Sequence, residues 1–224
     1  MELGADSNLF DLFLERCNAT PHAPAYRQFV QETATAPALM AGRASEASRD
    51  TASARGPADV QDAQMPRRPG MAMSDLDPVG DAWVDVTWAE VAREVARFQA
   101  ALAREGLKPG ERVALCLRNR VEWVCFDQAA ASLGLVTVPL YFDDRPDNMA
   151  FCLNDAGCKL LLLENAALWP ALRAQTKNLA RVVCLERVAA ADPRRTCLTD
   201  WLPAQGDELV RASARADELA TLVY

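Results

Sequence analysis

The clearest periodicity in the chain begins at Thr87. Trp88, Val91, Val95, Phe98 and Leu102 recur at spacings of three and four, so one apolar stripe runs along a helix. Thr87 followed by Glu90 is a capping box, in which the hydroxyl accepts from the third helical amide and the carboxylate reaches back to the cap. Gly106 supplies the left-handed exit, and Pro109 prevents continuation. A Trp–Phe stripe at this spacing reads as core packing rather than as a ligand wall. Beyond it, residues 112–117, 135–138, 158–163 and 181–185 are nearly unbroken apolar runs, as strands buried on both faces require. Helices are predicted between them. One is capped by Asn119-Arg120-Val121-Glu122 and runs to about Leu133; another opens at Asp144-Arg145-Pro146-Asp147 and closes at Gly157; a third covers 166–176. This rhythm predicts an α/β fold, a mostly parallel βαβ sheet flanked by helices with right-handed crossovers. Leu219, Leu222, Val223 and Tyr224 make 219–224 one more strand, apolar enough to lie inside the sheet.

Residues 7–16 read as a short amphipathic helix. Pro21 and Pro24 bracket a turn, and 25–30 alternate like a strand. Residues 81–86 alternate likewise and are predicted to pair with them as a hairpin. Between the two, 31–80 contain no aromatic residue and are rich in Ala, Ser, Asp, Arg, Pro and Gly. Such a stretch cannot bury enough apolar surface to offset its ordering entropy. It is predicted to be a disordered, dispensable insertion, nicked first by proteases near Arg43, Arg49, Arg55 or Arg67-Arg68. Its Met40, Met65, Met71 and Met73 lack the helical spacing of a partner-binding strip.

Composition narrows the function classes. Lys and Arg number 24 against 31 Asp and Glu, a net charge of −7, and no basic patch stands out, which argues against nucleic acid as a partner. Seven cysteines without a C-x-x-C pair mostly sit in apolar runs and read as buried free thiols in a reducing compartment. No basic segment followed by an apolar core opens the chain, and no window reaches the roughly 18 apolar residues of a membrane span. The expectation is a soluble, cytoplasmic protein.

Ligands of open parallel sheets bind beyond the carboxyl ends of the strands. Here those ends are Arg118-Asn119, Pro139-Leu140-Tyr141, Glu164-Asn165 and Glu186-Arg187, and none carries a glycine-rich phosphate cradle. Gly106 and Gly110 lie in a helix-to-strand loop, at the wrong end. His22 sits in a turn without an orienting partner and reads as a surface residue. Asp143, Asp144 and Asp147 have the makings of paired carboxylates, but their place before and after Pro146 reads as helix cap and first-turn charge. Tyr141 is the foremost pocket-lining candidate, against the plainer reading of a buried Tyr with a satisfied hydroxyl. From the residues themselves no catalytic, cofactor-binding or metal-binding residue is assigned.

Several stretches together resemble one family. Val86-Thr87-Trp88-Ala89-Glu90-Val91 is similar to the first core motif of the AMP-forming adenylate enzymes. Ser132-Leu133-Gly134-Leu135-Val136-Thr137-Val138-Pro139-Leu140-Tyr141 resembles the second. Lys108-Pro109-Gly110-Glu111-Arg112-Val113-Ala114 and Asn119-Arg120-Val121-Glu122-Trp123-Val124 match what lies between. The final DELATLVY, 217–224, resembles the lead-in to that family's phosphate loop. The resemblance implies that 1–224 is part of the large N-terminal AMP-binding domain of an adenylate-forming enzyme, truncated before the loop, with 31–80 inserted where relatives have a short turn. It implies a parent that joins a long-chain fatty acid to coenzyme A with ATP and Mg²⁺, releasing AMP and pyrophosphate. The phosphate loop, the adenine and ribose contacts, the magnesium-binding Glu and the mobile C-terminal Lys would all follow Tyr224, so the chain alone is expected to be inactive. Peripheral contact with the inner face of the membrane is compatible with a fatty-acid substrate. An aryl- or amino-acid-adenylating relative and a stand-alone, non-catalytic α/β binding module are the alternatives.

Overall fold

A computed structural model describes residues 7–30, 82–187, 192–211 and 217–224. The described residues of Met1–Gln28 and Asp85–Tyr224 belong to one compact unit. The expected insertion at 31–80, with its four methionines and its arginine cleavage sites, lies outside the described residues.

Helix α1 (Leu9–Ala19) is opened by Asn8, whose side chain accepts from the Asp11 amide while Asp11 accepts from the Asn8 amide, at 3.0 and 2.9 Å. Strands β1 (Pro24–Val30) and β2 (Ala82–Thr87) form a two-stranded sheet, as their alternation predicts. Helix α2 (Trp88–Arg104) begins at the expected capping box, with the Thr87 amide donating to Glu90 at 2.8 Å. Val91, Val95, Phe98 and Leu102 are buried along it. Trp88, half-buried at its start, packs on Phe13 and Tyr26 with ring centroids 6.2 and 6.0 Å away. The stripe is core, as read.

Then follow β3 (Arg112–Cys116), α3 (Val121–Ser132), β4 (Val136–Pro139), α4 (Pro146–Asp155) and β5 (Leu160–Leu163). A 3₁₀ turn at Ala166–Leu168 runs into α5 (Trp169–Gln175), followed by β6 (Arg181–Cys184), β7 (Arg195–Cys197) and α6 (Leu198–Trp201). The strands make one parallel sheet in the order β4-β3-β5-β6-β7. Met149 and Leu153 of α4 and Trp169 and Leu172 of α5 share one core with Ala114, Cys116, Val138, Leu161, Leu163 and Val182. Strand alternation sends Val113, Leu115, Thr137 and Leu162 to the opposite face. There α2 and α3 pack together, Phe98 edge-on to Phe126 at 6.3 Å.

Several expectations need correction. The α3 cap is Arg120, within the expected 119–122 stretch, but it makes no side-chain cap bond. The α4 cap is Arg145, held extended by the following Pro146; Asp144 precedes it and accepts from the Arg145 amide and the Asn148 side chain. Strand β7 and helix α6 were not foreseen, because three half-buried residues, Arg-Thr-Cys, and a single turn carry too little periodicity. The run 219–224 is not an interior strand. It touches the sheet by one parallel bridge, Thr221 beside Thr137 on the outer edge of β4, and Leu219 and Val223 stay exposed. With a neighbour on one side only among the described residues, apolar composition does not suffice to bury it.

All seven cysteines are free and six are buried, as read. Burial pushes the Cys116 and Cys184 thiols up to about 11 and Cys158 up to about 12. No helix among the described residues is long and apolar enough to cross a membrane.

Candidate functional site

The order of the sheet locates the place where a ligand crevice belongs. From β3 the chain leaves toward α3 on one face; from the adjacent β5 it leaves toward α5 on the other. Such a switch point opens a crevice beyond the carboxyl ends of the two strands. Arg118 and Arg120 follow β3, and Glu164 follows β5.

Side chains already close this crevice. Glu164 accepts from the Arg118 amide at 2.8 Å and from the Arg120 guanidinium at 3.5 Å, with the Arg118 side chain at 3.9 Å. Arg120 also forks onto Glu122, at 3.1 and 3.2 Å. Burial works against the Arg120 charge, but its hydrogen bond and attraction to Glu122, with Glu164 adding to them, outweigh that and raise its pKa. Glu122 is 96% shielded, which is tolerable because it is paired. The cluster ties the exits of β3 and β5 to the start of α3.

Beside it, at the exit of β4, Tyr141, Phe142, Asp143, Asp144 and Asn148 line an open groove of about 430 Å³. The Arg118 guanidinium lies over the Phe142 ring, 4.2 Å from its centroid, and joins groove to crevice. Tyr141 lines the groove and is 73% exposed, so the buried-tyrosine reading is wrong. Pro139 ends β4; Leu140 still packs against the core, and Tyr141 is the first residue to stand out in solvent. Asp143 and Asp144 share the groove, whereas Asp147 lies in the first turn of α4 and pairs with Arg145 at 2.6 Å. That pairing, with the helix start, lowers the Asp147 pKa. His22 stands in an exposed turn, as read.

A groove walled by two carboxylates and two aromatic rings repels phosphate and favours cationic or aromatic groups. Among the described residues no three His, Cys, Asp or Glu side chains gather as a metal site.

Sequence reasoning missed a second polar cluster, on the outer edge of β4. The Thr137 hydroxyl donates to Asp127 of α3 at 3.0 Å and lies 3.1 Å from the Thr221 hydroxyl. Burial raises the Asp127 pKa, while hydrogen bonds from Thr137 and Gln128 pull it back. It missed a third on α2, where side chains hold the backbone of 201–211. Arg104 donates to the Trp201 carbonyl at 2.6 Å, Arg97 to the Pro203 carbonyl at 2.8 Å, and Gln99 accepts from the Val210 amide at 2.9 Å. The available signal was a polar residue, Thr137, inside an apolar strand and a carboxylate, Asp127, on the apolar helix before it.

Comparison with known proteins agrees with this architecture. The family model described as "AMP-binding enzyme" matches residues 59–224. The long-chain-fatty-acid–CoA ligase FadD13 of Mycobacterium tuberculosis is 33% identical over 139 residues, 61% of this chain and 24% of that protein. A solved fatty acyl CoA synthetase of Mycobacterium tuberculosis superposes with a TM-score of 0.54 at 26% identity, over 63% of this chain and 27% of that one. The anthranilate CoA ligase AuaEII in complex with anthranoyl-AMP gives a TM-score of 0.57 at 21% identity, over 62% and 27%, a likeness of fold. The chain thus spans about a quarter of the length of these relatives.

Proposed function

The chain belongs to the AMP-binding enzyme family, and from that premise we propose that the protein is an ATP-dependent, AMP-forming acyl-CoA ligase acting on long-chain fatty acids. Such a ligase condenses the acid with ATP to an acyl-adenylate and pyrophosphate, then passes the acyl group to coenzyme A with release of AMP. The observation that carries the reading is the identity with the mycobacterial long-chain ligase. The fatty acid is the proposed small-molecule partner, and peripheral contact with the inner face of the membrane, from a cytoplasmic position, is part of the same proposal.

ATP, Mg²⁺ and coenzyme A are the reagents this chemistry requires. The described residues do not fit them: the switch-point crevice is filled by the Glu164 cluster, and the adjoining groove carries Asp143 and Asp144 without a phosphate cradle. We therefore assign none of these residues to catalysis, cofactor or metal. In this reading residues 1–224 belong to the N-terminal AMP-binding domain, and their role is to carry the parallel sheet against which the nucleotide elements are positioned.

The test is pyrophosphate release with ATP and Mg²⁺, measured with fatty acids of graded length, an aryl acid and an amino acid. Turnover with long-chain acids and coenzyme A is expected from the ligase, and none from residues 1–224 alone. Turnover confined to aryl or amino acids would replace the substrate assignment. Turnover by residues 1–224 alone would place an active site among residues read here as structural.

A further inference from the structure

Segment 219–224 is held on the sheet by unusual means. Its two backbone bonds, from the Thr137 amide to the Ala220 carbonyl at 3.0 Å and from the Leu222 amide to the Thr137 carbonyl at 2.9 Å, both involve one residue of β4. On one face of the sheet Leu222 packs against the core shared with α4 and α5. On the other, the Thr221 hydroxyl meets the Thr137 hydroxyl, which is buried and anchored in turn on the carboxylate of Asp127. Two backbone bonds on an exposed edge make a weak strand pairing, since short edges fray. A buried hydroxyl with both its donor and its acceptor capacity engaged is directional and intolerant of displacement.

We propose that Asp127 and Thr137 are positioning residues: acting through Thr221, they form a hydrogen-bonded latch that fixes the height and rotation of segment 219–224 on the outer edge of β4. The geometry gives each member a part. Asp127 accepts the Thr137 proton and so leaves the Thr137 oxygen free to accept from the Thr221 hydroxyl. Thr137 also offers its amide and carbonyl to the same segment. A register slip of one residue would turn Thr221 away from Thr137 and Leu222 out of its core, so the latch and the apolar contact specify one register together. The functional sense of the latch rests on the acyl-activating reading, in which this segment leads toward the bound nucleotide and its register sets where phosphate meets acid. The latch itself is tested without that chemistry, so the two stand or fall separately.

The experiment is hydrogen exchange on residues 1–224, following the peptide 217–224 and, as an internal control, peptides from β5 and β6. Thr137→Val and Asp127→Leu are expected to speed exchange in 217–224 by about tenfold or more, leaving β5 and β6 unchanged. Thr137→Ser and Asp127→Asn keep a hydroxyl and an acceptor in place and are expected to restore most of the protection. A residue that merely supported the fold would change all peptides together, and that result would overturn the latch. Equal exchange of 217–224 in the unaltered chain and in Thr137→Val would overturn it as well.

Discussion

The middle of the sheet and its β4 edge are built on different physics. Leu160, Leu161, Leu162 and Leu163 of β5 are all shielded from solvent, paired on both sides by β3 and β6 and covered on both faces. Nothing polar is needed there, and any side chain of the right volume would do. On the β4 edge, the segment beyond has one neighbour among the described residues, exposed apolar residues and a chain of three hydroxyl and carboxyl groups. Hydrocarbon makes the centre stable, while directional bonds make the edge specific. A site that must be positioned is better served by the second, because apolar packing tolerates small shifts and a buried hydrogen bond does not.

The largest expected effect lies in the apolar interior. Phe98 is 1% exposed and meets the rings of Phe126 and Trp201 at 6.3 and 6.0 Å. Phe98→Ala should lower unfolding stability by about 3–5 kcal/mol, measured by urea titration. An unchanged midpoint would mean that this layer is not packed as described.

Gly206 separates packing from hydrogen bonding. A Cβ at this position would collide with the Ala96 backbone carbon of α2. The strap 202–211 therefore lies directly on the helix, fixed by Arg97 and Gln99. Gly206→Ala is expected to cost roughly 1–3 kcal/mol, the usual range for an overpacked contact with backbone that cannot yield. A neutral substitution would show the strap to be held by its hydrogen bonds alone.

The buried thiols give the interior a pH signature. Above about pH 8.5 an unfolded chain releases thiol protons, whereas folded Cys158, pushed up to about 12 by burial, keeps its own. A folded-state value raised above the unfolded one stabilises below the unfolded pKa, and that contribution is lost as pH rises toward the folded value. The urea midpoint should therefore fall between pH 8 and pH 10. In Cys158→Ala the accompanying fall in unfolding free energy should be smaller by about 1–2 kcal/mol. An equal slope in the two proteins would contradict the burial of this thiol.

How much of this was legible in the sequence follows the same division. The α2 stripe, the four central strands and the capping box at Thr87 were readable, because periodicity and apolar runs report burial directly. The family resemblance was readable from motif order and spacing. Strand β7 was not, since Arg195-Thr196-Cys197 carries the polarity of a loop and becomes a strand only by pairing with β6. The run 219–224 misled in the opposite direction: its apolar residues promised an interior position that one neighbouring strand does not provide. Tyr141 misled in the same way, its ring turned out beyond Pro139. The clusters at Glu164 and at Asp127 depend on contacts between residues 10 to 84 positions apart; a polar Thr137 in an apolar strand marks the second, but no local pattern pairs it with Asp127 and Thr221.

The smallest effect is expected at the rim of the edge segment, where it tests whether the latch or its surroundings hold the chain. The Tyr224 hydroxyl donates to Asp155 at 2.7 Å, and that bond raises the Tyr224 pKa to about 12. Asp155 is the last residue of α4, where the helix dipole disfavours negative charge, so a donor from outside the helix is welcome there. Both groups are open to solvent, however, and water can replace either partner. Tyr224→Phe should thus change global stability by less than about 1 kcal/mol. It should speed exchange in 217–224 only slightly, well short of Thr137→Val. Asp155→Asn should leave the fold intact and bring ionisation of Tyr224, followed by its ultraviolet absorbance, to lower pH. If Tyr224→Phe instead released the segment as fully as Thr137→Val, the edge would be held from its exposed rim, and the contrast between a hydrocarbon centre and a buried polar latch would give way.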